Sequence, residues 1–139
     1  MVVVDASCAV KWFVPEAGSD LAERLLDPAW SLIAPDLLAV ETMNALLRKQ
    51  RRGEVTEAVP AQALGHLQSL GIAVMAHEPL LREAIGLSLR HRHGIYDCLY
   101  LTVARRRGAA LATFDRRLAA LAQSLAIPLW SPDDVQEHP

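Results

Sequence analysis

Along the chain, short apolar runs alternate with stretches whose apolar residues recur every three or four positions. The first run, Val2-Val3-Val4, is three β-branched residues in a row and predicts a short buried strand. Residues 6–13 predict a brief helical or turn-like passage ended by Pro15. Ser19 is placed to cap a helix through Leu21, Leu25 and Leu26 that stops before Pro28. Trp30-Ser31-Leu32-Ile33 predicts a second strand. Pro35 then predicts the opening of a long helix from Asp36 to about Arg52, with Gly53 as its stop. Thr56 opens another helix towards Leu70, in which Pro60 is tolerable only within the first turn.

Gly71 ends that helix, and Ile72-Ala73-Val74-Met75 predicts a third strand. Pro79 opens a helix through Leu80, Leu81, Ile85 and Leu89. Gly94 interrupts the pattern; a new helix begins around Tyr96 and ends at Gly108. Ala110-Leu111-Ala112-Thr113 predicts a fourth strand, and Asp115 stands at the start of a helix to about Ser124. Ile127-Pro128-Leu129-Trp130 predicts a weak last strand, followed by a polar tail to Pro139. Strands alternating with helices imply right-handed crossovers and an α/β fold: a mostly parallel central sheet with helices on both faces. No internal repeat, linker or low-complexity tract divides residues 1–139, so one domain is expected.

Composition sharpens this only a little. The chain is 52% hydrophobic with few aromatics, which favours a helix-rich globular protein over a disordered one. A net charge of -2 gives no global sign of a nucleic-acid binder. The basic residues are nevertheless clustered, at 48–52, 90–93, 105–107 and 116–117. Most clusters fall near predicted helix ends, where cations complement the dipole; if several share a face, they can track a phosphate backbone. Cys8 and Cys98 sit in apolar surroundings and read as small buried thiols, with no zinc or redox spacing. His66, His77, His91, His93 and His138 show no ligand spacing and receive no role. No segment is long and apolar enough to span a bilayer, so no membrane association and a cytoplasmic location are expected.

The chemistry rests on four acids. Asp5 and Asp115 each follow a predicted strand, and so belong on the carboxyl edge of a parallel sheet, where ligands bind. Glu41 shares a helix face with Leu37, Leu38 and Ala45, an expensive place for a carboxylate without a partner Arg, a wet edge or a metal. Asp97 interrupts the apolar helix start Ile95-Tyr96-Asp97-Cys98-Leu99; a simple helix cap accounts for it as well as function does, and accounts for Asp115 better. Carboxylates gathered at one crevice repel and require neutralising. A hard divalent cation, Mg²⁺ or Mn²⁺, suits oxygen ligands, and such a site suits phosphodiester hydrolysis.

Four pieces in order carry a resemblance across nearly the whole chain: residues 2–7 (Val-Val-Val-Asp-Ala-Ser), 41–46 (Glu-Thr-Met-Asn-Ala-Leu), 96–101 (Tyr-Asp-Cys-Leu-Tyr-Leu) and 113–118 (Thr-Phe-Asp-Arg-Arg-Leu). With them the chain resembles PIN-domain proteins, specifically the VapC toxins of bacterial toxin–antitoxin pairs. The resemblance implies a three-layer α/β/α sandwich and a Mg²⁺-dependent endoribonuclease whose acidic pocket is Asp5, Glu41, Asp97 and Asp115. It implies Asp5 and Asp97 as chief metal ligands, with Asp115 the more variable member of the metal set. Glu41 would complete the pocket or position a water, and Ser7, Asn44 and Thr113 would support it by hydrogen bonding. It further implies an RNA substrate, a homodimer, and a small antitoxin whose C-terminal segment blocks the site.

Other classes gather acids in similar ways. A PIN-like binding module without activity would need no intact acids. A receiver-like domain would carry a Lys at a late strand end, and no Lys follows Lys49. A haloacid-dehalogenase-type phosphatase would place an acid where Ser7 stands.

Overall fold

The computed structural model describes residues 1–137; His138 lies outside them. Four short strands form one parallel sheet: β1 (Val2–Val4), β2 (Leu32–Pro35), β3 (Ala73–Met75) and β4 (Ala110–Ala112), in the order β3-β2-β1-β4. The central strand β1 is fully buried, as its three valines require. Strand periodicity turns Val3 to one face, into a cluster with Ile33, Leu99 and Leu118. Val2 and Val4 turn to the other, against Cys8, Leu25 and Ala112. Both faces are therefore covered, which gives the three-layer α/β/α arrangement.

The helices are α1 (Ala6–Lys11), α2 (Ser19–Glu23), α3 (Leu38–Arg51), α4 (Ala58–Ser69), α5 (Leu81–His91), α6 (Ile95–Arg107) and α7 (Arg116–Ser124). Helix α6 is buried from Cys98 through Ala104 and touches β1, β2 and β4, so its middle is enclosed on every side. Strands β1 to β3 step outward in one direction, and β4 then returns to the other side of β1. The order thus reverses between β1 and β4, and a crevice opens there at the carboxyl ends.

Several boundaries differ from the sequence expectation. Pro35 ends β2 rather than opening a helix, and α3 begins at Leu38. Pairing with β1 involves only Leu32 and Ile33, so the missing N–H of Pro35 breaks no bond on that side. Ser19 is the first residue of α2, not its cap; Gly18 takes the cap position, and the Ser19 hydroxyl donates to the Val14 carbonyl. The helix expected through Leu26 tightens into a 3₁₀ turn at Arg24–Leu26. Pro79 lies in a second 3₁₀ turn, Glu78–Leu80, ahead of α5. Pro60 does fall in the first turn of α4. The expected last strand shrinks to one bridge, Leu111 to Leu129, flanked by Leu111 N–H to Pro128 O and Trp130 N–H to Leu111 O, both 2.8 Å.

Candidate active site

Asp5 leaves β1 and becomes the cap of α1. Its Oδ1 accepts from the Cys8 N–H at 3.3 Å and from the Ser7 hydroxyl at 2.5 Å. Its Oδ2 accepts from the Thr113 hydroxyl at 2.5 Å. The two hydroxyls are themselves fixed from the β4–α7 turn: Ser7 Oγ accepts from the Phe114 N–H at 2.9 Å, and Thr113 Oγ1 from the Asp115 N–H at 3.0 Å. The reversal point of the sheet is thereby stitched together around one carboxylate, which is only 5% exposed. Burial pushes the Asp5 carboxyl above its ordinary range; the bonds from Ser7, Thr113 and Cys8 oppose this, and the charge of Asp97 adds to it.

The other acids approach from different helices. Glu41 lies in the first turn of α3, Asp97 in the first turn of α6, and Asp115 caps α7 by accepting from the Arg117 and Leu118 N–H groups. All four acids line one cleft of about 410 Å³, together with Ser7, Lys11, Glu16, Asn44, Arg48, Tyr100 and Phe114. The cleft is graded: Asp5 is buried, Glu41 and Asp97 are half-buried, and Asp115 is exposed.

Glu41 has no ion-pair partner among the described residues. Its Oε1 is buried and makes no hydrogen bond, and neither does the buried Tyr100 hydroxyl. The two groups are near enough for each to shift the other's titration. Burial raises the Glu41 carboxyl, Tyr100 pulls it back, and the charges of Asp97 and Asp5 raise it further. Burial and Glu41 likewise hold the Tyr100 hydroxyl protonated.

Asp97 is not the helix cap that its position suggested. Gly94 caps α6, and the Asp97 Oδ2 instead meets His93 Nε2 at 2.7 Å. Asp115 does serve as a cap while also lining the cleft. Ser7 and Thr113 both bond Asp5, whereas Asn44 lines the cleft one turn beyond Glu41.

His93, which its spacing gives no role, reaches the site, and two cations join the acids. Lys11 and Arg48 are both in the cleft. Lys11 is held by Glu16 at 3.0 Å and the Ala17 carbonyl at 2.8 Å, and its Nζ lies 4.7 Å from the centre of the Phe114 ring. Glu16 also bonds Lys49 at 3.0 Å. A signal existed for two of these residues. Arg48 follows Glu41 by seven positions on the same helix face, and His93 precedes Asp97 by four. The basic clusters end α3, α5 and α6 as expected, but Arg116 and Arg117 begin α7.

Among the described residues, no three His, Cys, Asp or Glu side chains draw close enough to cage a metal by themselves. The donor set still fits a hard cation. It is all oxygen, it holds carboxylates raised by burial and mutual repulsion, and it includes the orphaned Glu41 Oε1. Mg²⁺ in particular keeps several waters and needs only one or two carboxylates.

Residues 2–124 match the PIN domain, and the chain belongs to the PIN-domain family, of the VapC type. It is 36% identical to Ribonuclease VapC3 of Pyrobaculum aerophilum, over 91% of this chain and 98% of that protein. It is 35% identical to Ribonuclease VapC1 of Mycobacterium tuberculosis, over 85% of this chain and 88% of that one. The fold resembles a crystal structure from Pyrobaculum aerophilum with a TM-score of 0.70 at 27% identity, covering 86% of this chain and 78% of that one. It also resembles Mycobacterium tuberculosis VapC20, described as a Sarcin-Ricin loop cleaving toxin, with a TM-score of 0.71 at 20% identity, over 86% of this chain and 94% of that one. None of the described helices is long and apolar enough to cross a membrane.

Proposed function

We propose that the protein is a metal-dependent endoribonuclease and the toxin of a toxin–antitoxin pair. On this reading it acts in the cytoplasm as a homodimer and is silenced by a cognate antitoxin protein. The observation that carries the activity is the meeting of Asp5, Glu41, Asp97 and Asp115 in one cleft, with Asp5 dry and Glu41 Oε1 unpartnered. The ribonuclease names of relatives that the chain covers almost end to end support it, and the toxin and antitoxin roles rest on the VapC likeness.

Asp5, Asp97 and Asp115 would hold Mg²⁺ or Mn²⁺. Glu41, its carboxyl raised and free of a bond, would position the attacking water and take its proton. Ser7 and Thr113 hold Asp5 in place, and Asn44 lines the path of the substrate. When bound, the cation supplies charge neutralisation at the phosphate and acidifies a water. The water oxygen adds to phosphorus, one P–O ester bond breaks, and the leaving oxygen takes a proton from bulk water while Glu41 returns its own to solvent. Arg48 and Lys11 supply positive charge along the cleft.

Because water is the nucleophile, the neighbouring 2′-hydroxyl takes no part. RNA carrying a 2′-O-methyl group at the cleavage position should still be cut, and the products should carry no 2′,3′-cyclic phosphate. Cyclic phosphate ends, or cleavage that survives a chelator, would overturn the reading.

A further inference from the structure

His93 sits in the turn between α5 and α6, and it is 7% exposed. We propose that His93 is a positioning residue whose Nε2–H fixes the rotamer of Asp97, so that the second oxygen of that carboxylate is presented to the cleft. This deepens the metal reading of Asp97 given above and rests on it.

The first argument is the choice of partner. A carboxylate in the first turn of a helix ordinarily turns back to the free N–H groups there. Helix α6 has a glycine cap and no side-chain bond to those groups, yet Asp97 turns to the imidazole instead. A carboxylate only accepts, so His93 Nε2 carries the proton of that 2.7 Å bond. Among the described residues, Asp97 Oδ1 has no hydrogen-bond partner, which leaves it for a ligand.

The second argument is how firmly His93 itself is held. Its carbonyl accepts from the Ser88 hydroxyl of α5 at 2.6 Å and from the Cys98 thiol of α6 at 3.7 Å. The preceding residue, Arg92, closes α5 in the left-handed region at φ 51°, uncommon for a side chain of this kind. That conformation is fastened from α7, where the Arg117 guanidinium donates to the Arg92 carbonyl at 3.1 Å. Arg117 lies two residues beyond Asp115. Three helices therefore converge on the three-residue turn 92–94, whose imidazole reaches one acid of the cleft. A histidine that merely filled the core would need none of this fastening. Carboxylates that hold metals commonly need such outer partners.

The test uses the full chain with Mn²⁺ as the probe. In metal-free wild type, long-range ¹H–¹⁵N spectra should show His93 Nε2 protonated; a bare Nε2 overturns the proposal without any variant. His93→Leu should weaken Mn²⁺ binding by about 10–100-fold, read by calorimetry. It should lower kcat for RNA cleavage while KM is held. His93→Gln, which offers an N–H near the same point, should recover most of both. A folded His93→Leu protein that binds Mn²⁺ like wild type overturns the proposal. If His93→Leu does not fold, the Gln variant decides: Mn²⁺ binding as weak as in Asp97→Asn overturns, and near-native binding supports. Wild type that binds no Mn²⁺ at all overturns the metal reading itself, a result distinct from a normal wild type beside an equally normal His93→Leu.

Discussion

The Thr113 hydroxyl donates to Asp5 Oδ2 at 2.5 Å, joining side chains 108 residues apart across the reversal point of the sheet. Thr113 at the same time accepts from the Asp115 N–H, so one hydroxyl ties β1, β4 and the start of α7 together. Removing that donor leaves a buried carboxylate short of a partner. Thr113→Val should therefore cost about 1–3 kcal/mol of stability by urea unfolding. It should also reduce RNA cleavage about 10–100-fold, while Thr113→Ser remains near wild type on both measures. Equal stability and activity in the Val variant would remove Thr113 from the account.

The acids of the cleft make the pH dependence of the metal-free protein unusual. Burial raises Asp5 and Glu41 above their ordinary values of 3.8 and 4.5. Their contribution to stability is complete below those values and is lost as pH rises through the raised ones. Glu16 has the opposite sign. Burial works against its charge, but bonds and charges from Lys11 and Lys49 win and hold it below 4.5, so its contribution fades as pH falls through the lowered value. In chelator, the melting temperature should thus drop from mildly acidic to neutral pH, and Mg²⁺ should abolish that drop. Asp5→Asn should flatten the profile in chelator as well. A chelated wild type that gains stability towards neutral pH would contradict this electrostatic picture.

Arg48 lines the cleft two turns beyond Glu41 and forms no ion pair among the described residues. A cation so placed is free for a phosphate of the substrate. Arg48→Gln should raise KM for RNA more than it lowers kcat. The slope of log affinity against log salt should fall by about 0.7, the value expected for one lost phosphate contact on a single strand. An unchanged slope would show that Arg48 touches no phosphate.

Gly18 stands at φ +90°, and a Cβ there would lie 2.6 Å from Cε1 of Phe114, a ring that lines the cleft beside Lys11. Gly18→Ala combines a strained backbone with a clash. It should destabilise the protein by about 1–3 kcal/mol in urea unfolding. A variant as stable as wild type would mean that the ring moves aside freely.

Where the sequence could be read, periodicity and burial agreed. Val2–Val4 was legible as a β-branched run, and the long helices as apolar stretches bounded by glycine stops. The misreadings cluster at prolines. Pro35 reads as a helix opener until the register shows that β1 makes no demand on its missing N–H. Pro128 sits in a segment that forms one bridge instead of a strand. Asp5 and Asp115 were legible as strand-end acids, Glu41 and Asp97 as carboxylates interrupting apolar helix positions, and the cleft brings all four together. His93 receives no role from the sequence because the histidines show no ligand spacing, and only the fold shows its ring turned to Asp97. Lys11 and Arg48 were missed for a different reason: each neighbours the acids in space through α1 and α3, not through a strand end.

The central claim is that these carboxylates cleave RNA through a bound divalent cation. Its most direct test is a mixed RNA pool incubated with purified protein in Mg²⁺ and in chelator, with Asp97→Asn prepared in parallel. Discrete products from wild type in Mg²⁺, and none in the other lanes, are the predicted result. Undiminished cleavage by Asp97→Asn, or intact RNA in every lane across a broad pool, would contradict it.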